Sequence, residues 1–326
     1  MNNPTISWHG WWRVLIFGLL VLAGVLPLLF YLLAGGTSHY GPTVQSVQSI
    51  PLMDQTALVG AVYGFKTLYM LLALAAIVLL WGEAVPALAA LRWSMIFFLV
   101  GEVFCWINIL FFFEESLLLE YLHSFFMVAC LGFLAFSVME ALDHGLLHFS
   151  NPQKRCALSG VCKSCVKAKP GPCLLHRLFR WMIPIIGLVG LMPLAAQPLA
   201  ISYNTSIFGI VRNLTHPLPV QWYEIRFCPA AALILLTGAW LALSWRGGTP
   251  GGTLLAKVLL AAAIGHLGFT FMRLAFLTFY RERIVWFFFW EELTELILIT
   301  SVLYLLWLFQ PQLGQQVRAR LRALMS

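Results

Sequence analysis

Apolar residues fall along this chain in runs of about twenty, and polar residues crowd into the gaps between them. A backbone in hydrocarbon must satisfy its own hydrogen bonds, so a run of that length spans a bilayer as an α-helix. Eight runs qualify, near 14–34, 59–81, 93–113, 118–142, 180–200, 228–245, 256–278 and 286–309. The pattern predicts an all-α, polytopic integral membrane helix bundle, with 1–326 as a single membrane domain. The fourth helix is expected to run on toward His148, because 139–148 stays helix-compatible apart from Gly145. The first run, Val14 to Leu33, is long enough to span and has no A-x-A-like site after it, so it reads as a retained helix.

Composition agrees with this reading. The 326 residues are 61% hydrophobic and 10% charged, against about 25% charged in a soluble domain. So few charges cannot cover a water-facing surface of this size. The formal charge is +7, and its distribution gives an orientation. With the N-terminus inside, fourteen of the twenty Lys and Arg residues fall on the inner side. Four (Arg212, Arg226, Arg281, Arg283) fall in outer loops, and Lys66 and Arg273 lie within spans. The positive-inside rule then places both termini in the cytoplasm, in a bacterial-type inner (plasma) membrane. No basic stripe interleaved with aromatics points to nucleic acid; the expected partner is the bilayer.

Three polar segments separate the runs: outer loops 35–58 and 201–227, and an inner loop, 149–179. The inner loop carries Cys156, Cys162, Cys165 and Cys173, spaced C-x5-C-x2-C-x7-C, with His176 three residues on. A C-x2-C pair sets two thiolates on one ion, and two further sulfurs complete a tetrahedral zinc site or the corners of an iron–sulfur cluster. In a reducing compartment such a cluster reads as metal-binding rather than disulfide-bonded. Lys154, Arg155, Lys163, Lys167, Lys169 and Arg177 surround it, and cations favour the thiolate. The alternatives are loose cysteines in a basic loop, or a disulfide if the topology is inverted. The spacing matches no standard cluster run, so zinc and iron–sulfur both stay open.

Glu140, His144 and His148 lie at i, i+4 and i+8 on one face of the fourth helix. A His pair at that spacing can bind a metal, although polar residues at a helix end also simply prefer the interface. Haem is disfavoured, since no opposing His lies at the same depth on another helix.

A second constellation maps to the outer side. Glu102, Glu114, Glu115, Glu120, Glu291, Glu292 and Glu295 make up seven of the thirteen acids, with His123 close by. Carboxylates at that depth should face a cavity, pair with a cation or hold a proton. Lys66 and Arg273 are the in-span cations. Glu120-x-x-His123 and Glu292-x-x-Glu295 each set two donors on one helix face. The Glu-x-x-His unit occurs in di-iron bundles, but those use two such units plus two further Glu, and this chain has one. The competing reading is helix capping, with acids favouring the positive N-terminal ends of helices four and eight. P-loop, G-x-S-x-G and H-E-x-x-H patterns are absent.

Three functions fit these features. The first is a membrane redox protein, with an iron–sulfur or zinc site inside and a carboxylate–His site outside. The second is a cation or small-solute transporter with a structural zinc loop. The third is an anchoring subunit whose cysteine loop docks a soluble partner. Fusions test the orientation. A fluorescent protein joined to the C-terminus should fold and emit in the cytoplasm, and alkaline phosphatase joined at Asn213 should be active in the periplasm. The reverse pattern would invert the topology.

Overall fold

The computed structural model describes residues 10–33, 43–112, 116–143, 198, 201–246, 249–282, 284–310, 312–315 and 322. The expected span at 180–200 falls almost wholly outside the described residues. Seven long helices are present among the described residues. They are α1 (Gly10–Leu33), α2 (Leu52–Leu79), α3 (Pro86–Phe111), α4 (Leu117–Asp143), α5 (from Leu218 to Arg246), α6 (Pro250–Glu282) and α7 (Ile284–Phe309). Six of them, all but α7, are long and apolar enough to cross a membrane. The chain is a multi-pass integral membrane protein.

Its packing is inverted relative to a soluble bundle. On α2, Leu68, Leu71, Leu74 and Val78 are exposed while Lys66, Tyr69, Ala73 and Ala76 are buried. An apolar stripe facing outward is costly in water and neutral in lipid. Helix ends obey local chemistry. Pro86 opens α3, where its missing N–H has no intrahelical partner to lose. The turn before it uses Gly82 at φ +83°, and the Arg92 guanidinium donates to the Leu80 carbonyl at the end of α2 (3.1 Å).

The two segments expected as outer loops are more ordered than a loop reading implies. Strands β1 (Thr43–Ser49), β2 (Ile201–Ile207) and β3 (Ile210–Thr215) form one sheet in the order β1-β2-β3. β1 runs parallel to β2, and β2 antiparallel to β3. Phe208 and Gly209, both at positive φ, make the tight turn between β2 and β3. The Phe208 amide donates to the Gln55 side chain at 2.7 Å, which ties the sheet to the start of α2. The end of segment 201–227 is already helical, because α5 begins at Leu218.

α4 lies at the centre, against α1, α3 and α6. Its crossing with α6 is set by glycine. A Cβ at Gly265 would sit 2.6 Å from the Val128 carbonyl oxygen and 2.7 Å from the Gly132 nitrogen, so the two backbones touch there. Small residues at such crossings let transmembrane helices approach closely. Against α3, Ser94 donates to the Cys130 carbonyl (2.9 Å) and Ser137 to the Ala87 carbonyl (2.7 Å). Gly265→Ala should therefore force α4 and α6 apart and cost about 1–3 kcal/mol, as overpacking does. Gly18→Ala, where a Cβ meets open space, should be neutral. Thermal unfolding of the two purified variants checks the contrast, and equal midpoints would refute this account of the crossing.

Candidate functional site

Polar side chains from six helices meet at the end of the bundle that carries the sheet. Two of these helices widen into π turns there. The first, Gly60–Phe65, delivers Lys66; the second, Tyr223–Phe227, contains Glu224. A π turn inserts an extra residue and rotates the rest of the helix about its axis, and such turns recur at functional sites. Here both place a charged residue inside the bundle.

Lys66 is buried, and its ammonium group has three N–H donors. It lies 2.5 Å from Glu102 Oε2, 2.8 Å from the Tyr69 hydroxyl and 3.1 Å from Glu292 Oε1. The hydrogen bonds among these go to Glu102 and Tyr69, and the Glu292 contact is an ion pair. The third hydrogen bond goes to Cys105 Sγ, at 3.6 Å. The Tyr69 hydroxyl oxygen lies 2.6 Å from both Glu102 Oε2 and Glu292 Oε2. One hydroxyl carries one proton and can donate to only one of them. The other short contact requires a carboxyl that keeps its own proton. Glu102 Oε2 already accepts from Lys66, whereas Glu292 Oε2 touches only Tyr69. The consistent assignment has Glu292 donating to Tyr69 and Tyr69 donating to Glu102.

A second group lies beside the first. Glu224 is fully buried. It accepts from Ser124 (3.1 Å) and lies 2.7 Å from His216 Nε2 and 3.1 Å from Arg273 Nε. Arg273 also pairs with Glu291. The planar guanidinium reaches two carboxylates at once, which a lysine ammonium does not reproduce. Thr270 donates to the Glu224 carbonyl (2.7 Å) and fixes the π turn against α6.

Between the two groups is a cavity lined by Lys66, Cys105, Glu120, His123, Arg273 and Glu295, among others. It offers water-sized spheres about 50 Å³, room for about three waters by the usual one-sphere measure. That size suits an ion or a short water chain and excludes a bulky solute. Glu120 reaches it because Ser116 caps α4: the Leu119 amide donates to the Ser116 hydroxyl (3.5 Å), and Glu120 instead accepts from Asn108 (2.7 Å). His123 Nδ1 lies 3.1 Å from the Gly101 carbonyl and so donates to it, which in the neutral ring makes Nε2 the acceptor. Glu295 Oε2 is buried without a hydrogen-bond partner.

Of the residues expected from the sequence, Glu120, His123, Arg273, Glu291, Glu292 and Glu295 line one cavity, and Glu102 pairs with Lys66 at its wall. Glu115, His144, His148, His176, Cys156, Cys162, Cys165 and Cys173 lie outside the described residues. Glu140, expected to share a face with His144 and His148, pairs with Lys257 on α6; the same ammonium lies 2.6 Å from Asp143. Tyr69, His216 and Glu224 join the site without having been singled out. Tyr69 stands at i+3 from Lys66, a visible face-sharing signal. His216 and Glu224 fall in what reads as a loop. No protein family, curated protein or solved structure matches the chain.

Breaking a buried pair strands a charge. Lys66→Met alone should cost about 3–5 kcal/mol, and adding Glu102→Gln should recover a large part of that loss. Unfolding of both variants in detergent measures it. A double variant no more stable than Lys66→Met would refute the coupling.

Proposed function

We propose that this protein is a membrane transporter that exchanges a small cation for protons through the carboxylate cavity. The carrying observation is a charge imbalance. Among the described residues, Glu102, Glu224, Glu291, Glu292 and Glu295 are buried at this end of the bundle, with only Lys66 and Arg273 buried beside them as fixed cations. Three carboxyls are left without a fixed counter-charge, and unmatched charge at membrane depth is expensive. Protons, on the carboxyls or on His216 beside Glu224, or an exchangeable cation must supply the difference, and a cavity of a few water volumes suits either.

In this reading Lys66 is a tethered counter-ion that keeps Glu102 and Glu292 together when the site is empty. Tyr69 links the two carboxyls, so a proton leaving Glu292 can pass through its hydroxyl to Glu102. A cation entering beside Glu295 favours the ionised carboxyls and displaces a proton; a returning proton displaces the cation. The positive-inside orientation puts this site toward the outer face and the termini in the cytoplasm. The cysteine segment, with Cys156, Cys162, Cys165 and Cys173, then serves on the cytoplasmic side as a zinc or iron–sulfur module.

Proteoliposomes test the exchange. An outward-directed proton gradient should drive cation uptake, with accompanying alkalinisation inside. Glu292→Gln and Glu295→Gln should abolish both while the protein still inserts. Glu83→Gln, in the turn after α2 and outside the cavity, should transport normally. Flux unaffected by the two cavity variants would overturn the proposal.

A further inference from the structure

We infer that the cavity holds a divalent first-row transition ion on His123 Nε2, Glu295 and Glu291. This rests on the cation-exchange reading above and names the cation. Four observations carry it.

The first is the histidine. Its Nδ1 proton is spent on the Gly101 carbonyl, and Glu102 Oε1 lies 3.6 Å from the same nitrogen. A metal-binding histidine characteristically gives its second ring N–H to a carbonyl or carboxylate, which fixes the tautomer and aims the other nitrogen at the ion. His123 is 3% exposed and lines the cavity.

The second is spacing. Ligand atoms from His123, Glu291 and Glu295 all lie within 4.8 Å of one another. Bonds of 2.0–2.2 Å set tetrahedral ligands about 3.4 Å apart, so the ion must draw the three side chains in by about an ångström. Glu295 is free to move, since its Oε2 has no partner. Glu291 gives one oxygen to Arg273 and keeps the other. Two neighbouring sets, Glu102–Cys105–His123 and Glu102–Glu292–Glu295, have the same spacing. Both of those sets, however, depend on Glu102, whose Oε2 is held by Lys66 and Tyr69.

The third is charge. Five buried carboxyls face two buried cations, and the short Tyr69 contacts keep one carboxyl protonated. Glu120 adds a further carboxylate to the lining. A divalent ion offsets this acidic excess better than a monovalent one.

The fourth is ligand type. An imidazole nitrogen with two carboxylates suits manganese, iron, cobalt or zinc; magnesium and calcium prefer oxygen alone.

The test uses full-length protein in which the four loop cysteines are serine, so that metal bound at that segment does not enter the count. Cobalt(II) added to purified protein should give one equivalent of bound metal, with visible d–d bands of low coordination number. Isothermal titration with zinc(II) should give the same stoichiometry. His123→Ala and Glu295→Gln should each weaken binding by more than the roughly 10–100-fold typical of losing an outer-shell partner. Glu83→Gln should leave it unchanged. Glu295→Gln is isosteric and already unpaired, so it keeps the test valid if His123→Ala fails to fold. A folded protein that binds no cobalt, or whose binding survives both variants, overturns the site. If it binds no divalent ion but still exchanges sodium or potassium for protons, the site falls and the transport reading stands. If it binds cobalt through His123 but moves no ion, the site stands and transport falls.

Discussion

The structure depends on one constraint, which is that a charge taken out of water must be matched where it sits. Lys66 meets it with three short contacts, and each contact belongs to a different structural commitment. Glu102 anchors α3, Glu292 anchors α7, and Tyr69 lies one turn along α2 itself. Arg273 does the same between α5 and α7. Apolar side chains in lipid gain nothing from finding one another, because acyl chains are equally apolar. Specific register in this bundle therefore comes from its few polar contacts and from close backbone approaches such as Gly265 on Gly132. The aromatic and aliphatic residues fill the remaining space without choosing the arrangement.

This division explains what could be read from the chain. Six of the eight expected spans were legible because a bilayer imposes a length on every helix, and apolar runs of that length have few other uses. Lys66, Glu102 and Arg273 stood out for the same reason, as isolated charges inside such runs. His216 and Glu224 were not legible. They fall before the apolar run that begins at Cys228, where composition reads as loop, and a π turn has no periodicity that would draw Glu224 into the bundle. The sheet was hidden differently. Val44 and Val47 lie in a short polar strand whose partner is more than 150 residues away, and nothing local specifies a parallel pairing over that distance. The cysteine segment, the most conspicuous feature of the sequence, lies outside the described residues, and the weight of a functional reading falls instead on the carboxylate cavity.

The cavity owes its character to groups that are incompletely used. Most buried polar atoms around it are satisfied within the protein: Glu224 by Ser124, His216 and Arg273, Glu120 by Asn108. Glu295 Oε2 and Glu102 Oε1 are not. A protein under pressure only to fold would replace such atoms with apolar ones, since an unsatisfied polar group buried in a membrane costs stability and returns none. Their retention beside a space of a few water volumes is what separates a binding site from internal scaffolding.

The contact of α4 with α6 has a mechanical consequence. On α6, Lys257, Gly265 and Arg273 are spaced by eight residues, which puts the charged groups about 12 Å to either side of the glycine along the helix. α4 runs the other way, so Glu140 and Asp143 meet Lys257 at one end, and Ser124 lies near Arg273, through Glu224, at the other. Two rods that touch at mid-length can tilt about that point but cannot slide through it. The glycine pair is thus a fulcrum, with an ion pair across one arm and, on the other, a tie that passes from the Ser124 hydroxyl through Glu224 of α5 to Arg273. A tilt about it that shortens one arm's gap widens the other's.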